Sequence, residues 1–249
     1  MKSRSLLYTN VIQALLYKIN HYYQPGDIIP TQSEIAQETG TSLITVKRAI
    51  SELVKEGYLE SVQGKGTIVR KPPIVDKHIG VSSWTDSMAN LGEQAETSWI
   101  TVTKHIPSAE IANVLQLKAR QRTIVVDRLR SIGNTPICLM QNEIPLSLVP
   151  DMHKKEIDSE SLYEWLRKTY DLVPAVAEEE VYARRATMYE QKELKMDDDI
   201  LLVINRVSFS ADGTPIEISE LKAPAENYRY RSKQLNTTLE TKILNTLIK

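Results

Sequence analysis

The spacing of apolar positions along residues 1–70 predicts three helices followed by two short strands. Apolar side chains recur every three or four positions in residues 5–22, which is the period of an amphipathic helix. Thr31 and Glu34 stand at capping-box spacing, so a second helix is expected to begin at Thr31 and end at Gly40. Ser42 is the predicted N-cap of a third helix, closed by Gly57, whose buried side consists of Val46, Ala49, Ile50, Leu53 and Val54.

The two predicted strands, residues 58–62 and 67–70, flank the glycine-rich turn Gln63-Gly64-Lys65-Gly66. A hairpin directly after a helix-turn-helix is a winged helix, in which the third helix enters the major groove and the wing reaches the minor groove. Taken singly, the hydroxyl residues of this region also fit a role as helix caps, and its cations fit a solvated face. The residues expected to contact DNA are Thr31, Gln32, Thr41, Ser42, Thr45, Lys47, Arg48, Gly64, Lys65 and Gly66.

The rest of the chain contains two similar β-rich stretches, residues 124–137 and residues 202–216. Arg128 matches Arg206, and a Thr-Pro-Ile triplet follows in each stretch after a glycine-containing turn. A short helical pattern precedes each one, at 109–117 and at 188–194. We therefore expect two copies of a helix, a strand, a hairpin turn and a strand that share one sheet, although hairpins of similar composition could also match by chance.

Two further helices are predicted in this region, over residues 84–91 and over residues 159–170 with Ser159 as N-cap. Strands with flanking helices, neither alternating β-α-β nor all-β, indicate an α+β domain. The predicted fold is thus an N-terminal winged helix-turn-helix domain and a C-terminal α+β domain built on an antiparallel sheet.

The net charge also changes sign between the two predicted domains. The 249 residues carry 31 Lys and Arg against 32 Asp and Glu, a formal net charge of −1. Residues 1–77 hold ten basic and seven acidic residues, a net of +3, which leaves −4 for the remainder. The break falls at Arg70-Lys71-Pro72-Pro73, where prolines favour extended chain. We predict a DNA-binding domain over 1–70, a linker over 71–78 and a second domain over 79–249; a proline-containing loop inside one domain is the alternative.

Composition excludes several classes of protein. With 41% hydrophobic and 25% charged residues, the chain is neither disordered nor collagen-like. Cys138 is the only cysteine, so no internal disulfide is possible, and a reducing compartment is indicated. Neither a membrane-length apolar run nor a secretory signal pattern is evident, so a cytoplasmic location is expected.

The sequence contains neither a catalytic pattern nor a metal-binding pattern. The four histidines share no ligand spacing, and no nucleophile motif or phosphate loop is present, so neither a cofactor nor a metal is expected. Arg128 and Arg130 are two apart on a predicted strand and point to the same face, where two guanidinium groups suit a phosphate or carboxylate. Ser82-Ser83-Trp84-Thr85 adds hydroxyls at a helix start. The alternative is that both arginines are surface residues of a hairpin.

Residues 5–70 resemble the GntR family of bacterial transcription regulators. The resemblance implies a dimer on a pseudo-palindromic operator. The sequence departs from the family pattern at Gln32-Ser33 and at Ser42-Leu43, where arginines are usual, so the operator sequence is left open. The motifs that carry the resemblance are Pro25-Gly26-Asp27, Ile29-Pro30-Thr31, Glu34-Ile35-Ala36, Thr45-Val46-Lys47, Glu56-Gly57-Tyr58-Leu59 and Gln63-Gly64-Lys65-Gly66-Thr67.

Residues 79–245 resemble the UTRA effector domain of the HutC branch of that family, through motifs such as Ser82-Ser83-Trp84-Thr85, Arg128-Leu129-Arg130 and Asp212-Gly213-Thr214-Pro215-Ile216-Glu217. The resemblance implies a fold similar to chorismate lyase that binds small effectors, often phosphorylated sugars. Met140 stands where sugar-binding relatives often have a glutamate, which favours a less polar ligand or core packing. The effector-binding residues that the resemblance implies are Ser82, Ser83, Thr85, Arg128, Arg130, Ser161, Tyr163, Glu217 and Tyr228.

Together these observations predict a homodimeric, ligand-responsive transcription regulator, and more specifically a repressor whose affinity for double-stranded operator DNA is modulated by a small anionic effector such as a phosphorylated sugar. Three alternatives remain at this point: a regulator that responds to a non-sugar ligand, a lyase-like enzyme, and an adaptor whose second domain only dimerises. The missing catalytic set argues against the enzyme.

Overall fold

The computed structural model describes residues 2–70, 73–78, 81–157, 160–196 and 198–232. The chain forms two compact units, Met1–Ile74 and Val75–Lys249, and each is described by itself. We call the first the head unit and the second the sheet unit.

The head unit contains three helices and a hairpin, as the sequence predicts. Its elements are α1 (Lys2–Tyr22), α2 (Gln32–Thr39), α3 (Leu43–Lys55), β1 (Leu59–Val62) and β2 (Gly66–Val69). Helix α1 begins three residues earlier than predicted. The predicted caps are present: Thr31 and Glu34 form a capping box, Gly40 ends α2 in the left-handed conformation, and Ser42 caps α3. One side of each helix packs into a common apolar core that includes Val11, Leu15, Ile35, Val46, Ile50 and Leu53.

Glycines determine where α3 ends and where the wing turns. Gly57 has a φ of +83° and follows the helix, and a Cβ at this position would lie 2.8 Å from Cδ of Pro73. Gly64 and Gly66 also have positive φ values, so both can occupy the tight turn of the hairpin at little steric cost. The turn places Lys65 between them, exposed at the tip of the wing.

The sheet unit is built on six antiparallel strands in the order β4-β5-β6-β9-β8-β7, with a separate pair formed by β3 and β10. The α+β class and the antiparallel sheet are therefore confirmed. The elements are β3 (Ile74–His78), α4 (Trp84–Asn90), β4 (Ala95–His105), α5 (Ala109–Val114), β5 (Thr123–Ile132), β6 (Thr135–Pro145), a 3-10 turn (Met152–Lys154), α6 (Leu162–Tyr170), β7 (Val176–Arg185), α7 (Met188–Leu194), β8 (Ile200–Phe209), β9 (Pro215–Pro224) and β10 (Tyr228–Ser232).

The predicted repeat is confirmed, and each copy has one more strand than expected. Strand β4, helix α5 and hairpin β5–β6 form one copy, and strand β7, helix α7 and hairpin β8–β9 form the other. The two hairpins meet where β6 pairs with β9. Counted from the matching Thr135 and Thr214, Gln141 and Glu220 are equivalent positions, and they face each other across this pair. The pseudo-twofold axis of the repeat therefore passes between them.

Three boundaries in this part of the chain differ from the predictions. Helix α6 begins at Leu162 and not at 159, because the Ser161 side chain accepts the Glu164 N–H and so supplies the cap; the predicted cap, Ser159, lies outside the described residues. Part of the predicted linker is a strand, since the β-branched residues Ile74 and Val75 begin β3, which pairs with β10. The helix predicted over 109–117 ends at Val114.

A carboxylate–guanidinium pair between β7 and α7 gives a testable pH dependence. Glu190 is buried in the capping box of α7 and accepts two hydrogen bonds from Arg184, at 2.7 and 2.8 Å, and these bonds lower the pKa of Glu190 to about 2. A depressed folded-state pKa stabilises the fold above the ordinary pKa of 4.5, and this contribution is lost as the pH falls towards 2.

Glu190→Gln is therefore expected to lower the free energy of unfolding by at most about 3 kcal/mol at pH 7, and the difference from the parent should shrink below about pH 4.5. Denaturant unfolding between pH 7 and pH 3 measures this difference. Glu110→Gln, at an exposed position in the first turn of α5, is the matched control. A difference that is constant over this pH range would contradict the assignment.

Candidate functional site

A polar cleft opens on one face of the six-stranded sheet, beside the first turns of α4 and α6. The empty space between its lining atoms, together with the adjoining space open to solvent, is about 580 Å³. Arg128 and Arg130 both reach it, because alternate residues of β5 point to the same face, as the sequence predicts. Six of the predicted effector-binding residues line this cleft: Ser82, Ser83, Thr85, Arg128, Arg130 and Tyr163.

Arg130 lies at the base of the cleft and is completely buried. Its Nη1 donates to the main-chain oxygen of Glu160 at 2.9 Å and lies 3.3 Å from the carboxylate of the same residue, while its Nη2 donates to Thr85. The guanidinium carbon lies 5.1 Å from the centre of the Trp84 ring, within cation–π distance. Burial lowers the pKa of Arg130, so an anion in the cleft would relieve part of this desolvation cost.

Arg128 is the second buried cation of the cleft. Its Nη2 donates to Oδ1 of Asn142 at 3.0 Å. Burial, with a smaller contribution from neighbouring Arg130, lowers its pKa to about 10, which keeps the guanidinium charged at neutral pH. The Nε atoms of both arginines are buried and have no hydrogen-bond partner among the described residues. Two adjacent, largely desolvated guanidinium groups make this cleft suitable for an anion.

Glu217 lies behind the wall of the cleft and not on its surface. The carboxylate is buried and accepts hydrogen bonds from Asn142 at 2.6 Å, Tyr163 at 2.7 Å and Ser208 at 3.0 Å. Burial, together with the nearby charge of Glu217, raises the pKa of Tyr163, so its hydroxyl remains a donor. In this arrangement Glu217 orients Asn142 and Tyr163, both of which line the cleft.

The N-cap residues of α4 and α6 lie beside the cleft and are hydrogen-bonded to each other. Ser83 caps α4 in a capping box with Asp86, and Ser161 caps α6. The Ser161 hydroxyl donates to the Ser83 hydroxyl at 3.2 Å, and Thr85 donates to the main-chain oxygen of Glu160 at 3.0 Å. The predicted effector-binding residue Ser161 therefore does not line the cleft, but it donates a hydrogen bond to Ser83, which does.

Tyr228 also supports the cleft from behind. Its hydroxyl is buried, accepts the Trp84 indole N–H at 3.0 Å and donates to the Asp76 carboxylate. Burial raises the pKa of Tyr228 well above its ordinary value. Trp84 and Asp76 themselves line the cleft, so Tyr228 connects strand β3 with helix α4 through hydrogen bonds.

Sequence reasoning missed several residues of the cleft, notably Asp76, Asn142 and Arg206. Arg206 donates to Glu179 at 2.7 Å and to the main-chain oxygen of Ser82 at 3.1 Å, so it holds the segment before α4 in place. The sequence repeat could have indicated that Arg206 belongs to the cleft, because Arg206 occupies the position of Arg128 in the second copy. The positions of Asp76 and Asn142 depend on strand pairings that no local pattern reveals.

The predicted DNA contacts lie on α2, α3 and the wing of the head unit. Thr41 and Thr45 are half-buried, and the other eight residues are exposed. Several hydroxyls make local hydrogen bonds: Thr31 donates to Glu34 at 2.7 Å, and the hydroxyls of Ser42 and Thr45 lie 2.9 Å apart. The guanidinium of Arg48 lies 4.6 Å from the centre of the Tyr8 ring of α1, whereas Lys47 extends from the exposed face.

Clusters of metal-binding side chains and membrane-length apolar helices are both absent from the described part of the chain. No group of three or more His, Cys, Asp or Glu side chains there is arranged to hold a metal ion. No helix in the same residues is long and apolar enough to span a membrane.

A winged helix-turn-helix followed by an α+β domain with a cationic cleft defines a class of ligand-responsive transcription regulators. The chain belongs to the GntR family: the model described as “Bacterial regulatory proteins, gntR family” matches residues 7–69, and the UTRA domain model matches residues 90–229. This family comprises regulators and not enzymes, which removes the lyase-like alternative.

Curated relatives and solved structures agree with this assignment. The chain is 29% identical over 221 residues to the “Probable fructoselysine utilization operon transcriptional repressor” of Escherichia coli O157:H7, covering 88% of this chain and 90% of that protein. It is 25% identical over 210 residues to the “Mannosyl-D-glycerate transport/metabolism system repressor MngR” of Escherichia coli (strain K12), covering 83% and 86%. The crystal structure of PhnF from Mycobacterium smegmatis matches with a TM-score of 0.79 at 19% identity, covering 91% and 100%, which shows a shared fold.

Proposed function

We propose that the protein is a cytoplasmic, homodimeric repressor of the HutC branch, whose operator affinity is modulated by a small anionic effector such as a phosphorylated sugar. The observation that carries the proposal is the pair of buried guanidinium groups, Arg128 and Arg130, whose Nε donors lack partners among the described residues of the cleft. The names of both curated relatives associate them with sugar derivatives, which supports this class of ligand.

Within the cleft, different residues would bind different parts of such a ligand. The anionic group would lie among Arg128, Arg130, Ser83 and Thr85, all of which line the cleft. Asn142 and Tyr163, oriented by Glu217, would bind hydroxyl groups. In this proposal Ser161 and Tyr228 act through Ser83 and Trp84.

Met140 supports a second candidate, a regulator that responds to a less polar anion. Met140 pairs with Leu221 across β6 and β9, and both line the cleft together with Ile204. This apolar wall would accept the hydrocarbon part of a carboxylate ligand as readily as a sugar ring. Carboxylates are therefore included in the experiment below.

Operator binding would use the head unit. The first turn of α3 would lie in the major groove and the Gly64–Gly66 tip in the minor groove, with one head of a homodimer at each half-site. Asp76, which lines the cleft, lies on β3, and β3 begins where the chain leaves the head unit. An effector that contacts this cleft can therefore alter the strand that follows the head. A coupling of about 1–3 kcal/mol would change operator affinity about 5- to 150-fold.

The test begins with selection of an operator from random DNA by the full-length protein. Fluorescence anisotropy then measures operator affinity in the presence of glucose 6-phosphate, glucosamine 6-phosphate, fructose 6-phosphate, the three unphosphorylated sugars and a set of small carboxylates. We expect at least one phosphorylated sugar to change the affinity about 5-fold or more while its unphosphorylated form does not. If only carboxylates act, the second candidate replaces the first; if the protein selects no DNA sequence, the regulator itself is contradicted.

A further inference from the structure

The first turn of α3 carries two exposed apolar side chains that the fold does not use. Ile44 is 82% exposed and Leu43 is 52% exposed. The buried side of this helix consists of Val46, Ala49, Ile50 and Leu53. Leu43 and Ile44 do not belong to the buried or partly buried residues that form the apolar core of the head unit. Core packing in the head unit therefore gives no reason for an apolar residue at position 44, where most of the side chain is exposed.

Ile44 lies on the side of α3 opposite the core. Arg48, Ser51 and Lys55 follow it at helical spacing on the same side, and all three are exposed. A β-branched residue is a poorer helix former than alanine or a charged residue, so neither helix propensity nor solubility explains an isoleucine here. Ser42 and Thr45 flank it, and Lys47 lies three residues further on.

We infer that Ile44, with Leu43 beside it, reads thymine in each operator half-site by contact with the C5-methyl group; this inference rests on the proposed function. In the major groove the thymine methyl is the apolar group on the exposed base edges, and apolar side chains recognise it. The charges on α3 fit this occupant, because Lys47 and Arg48 lie within one helical turn of Ile44 and can contact the phosphates that flank the base.

The geometry makes Ile44 a specificity residue and Lys47 an affinity residue. Contact with a methyl group distinguishes thymine from cytosine and from uracil, whereas contact with a phosphate does not depend on sequence. Changing a base without changing the phosphates should therefore weaken the contact made by Ile44 and leave the contact made by Lys47 unaltered.

The experiment replaces each thymine of the selected operator half-site, one at a time, by deoxyuridine, which removes the methyl group and keeps the base pair. We expect at least one position at which this change weakens binding of the full-length protein about 4-fold, or about 15-fold when both half-sites are changed. Ile44→Ala should bind the thymine operator more weakly and should lose most of the response to deoxyuridine at that position. Alanine is the best helix former, so the variant is expected to fold.

Ile28→Ala is the matched control, because Ile28 is an exposed isoleucine of the same unit outside α3. It should keep the full response to deoxyuridine. The inference is overturned if no thymine responds, or if Ile44→Ala responds as strongly as the parent. It is also overturned if Ile44→Ala changes the oligomeric state in light scattering while methyl sensitivity is absent, because Ile44 would then contact protein. Sequence-specific binding without methyl sensitivity removes this inference alone; absence of sequence-specific binding removes the proposed function as well.

Discussion

Arg130→Met is expected to abolish effector binding while operator binding is retained. Methionine fills a similar volume without the charge, and the cleft loses the guanidinium that lies closest to Thr85 and Trp84. Removing one partner of a buried charge pair weakens binding by about 2–5 kcal/mol, which is about 30-fold or more. Glu160 would lose its partner, but its side chain is 52% exposed and water can solvate it, so the sheet unit should remain folded.

Isothermal titration with the phosphorylated sugar that responds in the operator experiment measures this loss. Arg167→Met, on the exposed side of α6, removes the same charge outside the cleft and should leave the affinity unchanged. Arg130→Lys should restore part of the binding, because it keeps the charge and loses the planar geometry of the guanidinium. Thermal unfolding of each variant verifies that it folds. Undiminished affinity in a folded Arg130→Met protein would contradict the placement of the anion.

The head unit could be predicted almost completely from the sequence because its structure depends on local features. The capping box of Thr31 and Glu34, the N-cap Ser42 and the left-handed Gly40 each act within four residues, and each is found where the pattern predicts it. The repeat in the sheet unit was predictable for a related reason. In each hairpin, the two strands joined by the short turn are expected to pair with each other. The observed registers of β5 with β6 and of β8 with β9 confirm both pairings.

The residues that line the cleft could be predicted from the sequence only in part. The face shared by Arg128 and Arg130 follows from the strand period, whereas Asp76 enters through the pairing of β3 with β10, which joins segments about 150 residues apart. Glu217 and Tyr228 carry polar groups that suit a ligand, and sequence alone cannot show that Asn142, Tyr163 and Trp84 already use those groups. Local pattern thus indicates which residues belong to the region of the cleft, and the sheet order determines which of them reach its surface.

The repeat also explains why the cleft is asymmetric. Arg128 and Arg206 occupy equivalent positions in the two copies, on the same face of the sheet. Arg128 retains an Nε without a hydrogen-bond partner in the described part of the chain, whereas Arg206 forms an ion pair with Glu179 and holds the main chain at Ser82. In the proposed function, the first copy of this position contributes to ligand binding, while the second stabilises the segment that borders the cleft.

Operator binding is expected to weaken steeply with salt, and Lys47→Ala is expected to reduce that dependence. Residues 1–77 carry a net charge of only +3, so tight binding should require both heads of the proposed dimer. If Lys47, Arg48 and Lys65 each neutralise one phosphate per head, six contacts give a slope of log K against log salt of about −5. Affinity should then fall about 1,000-fold between 50 and 200 mM salt.

Each substitution in the proposed homodimer would remove two contacts, so Lys47→Ala or Lys65→Ala should reduce the magnitude of this slope by about 1.8, and the same salt step should then cost only about 80-fold. Fluorescence anisotropy on the selected operator between 50 and 300 mM KCl measures the slope. Lys118→Ala, at an exposed lysine of the sheet unit, should leave it unchanged. A reduction of about 0.9 would mean that a single head contacts DNA, which would contradict the dimer; an unchanged slope in both variants would place neither lysine at a phosphate.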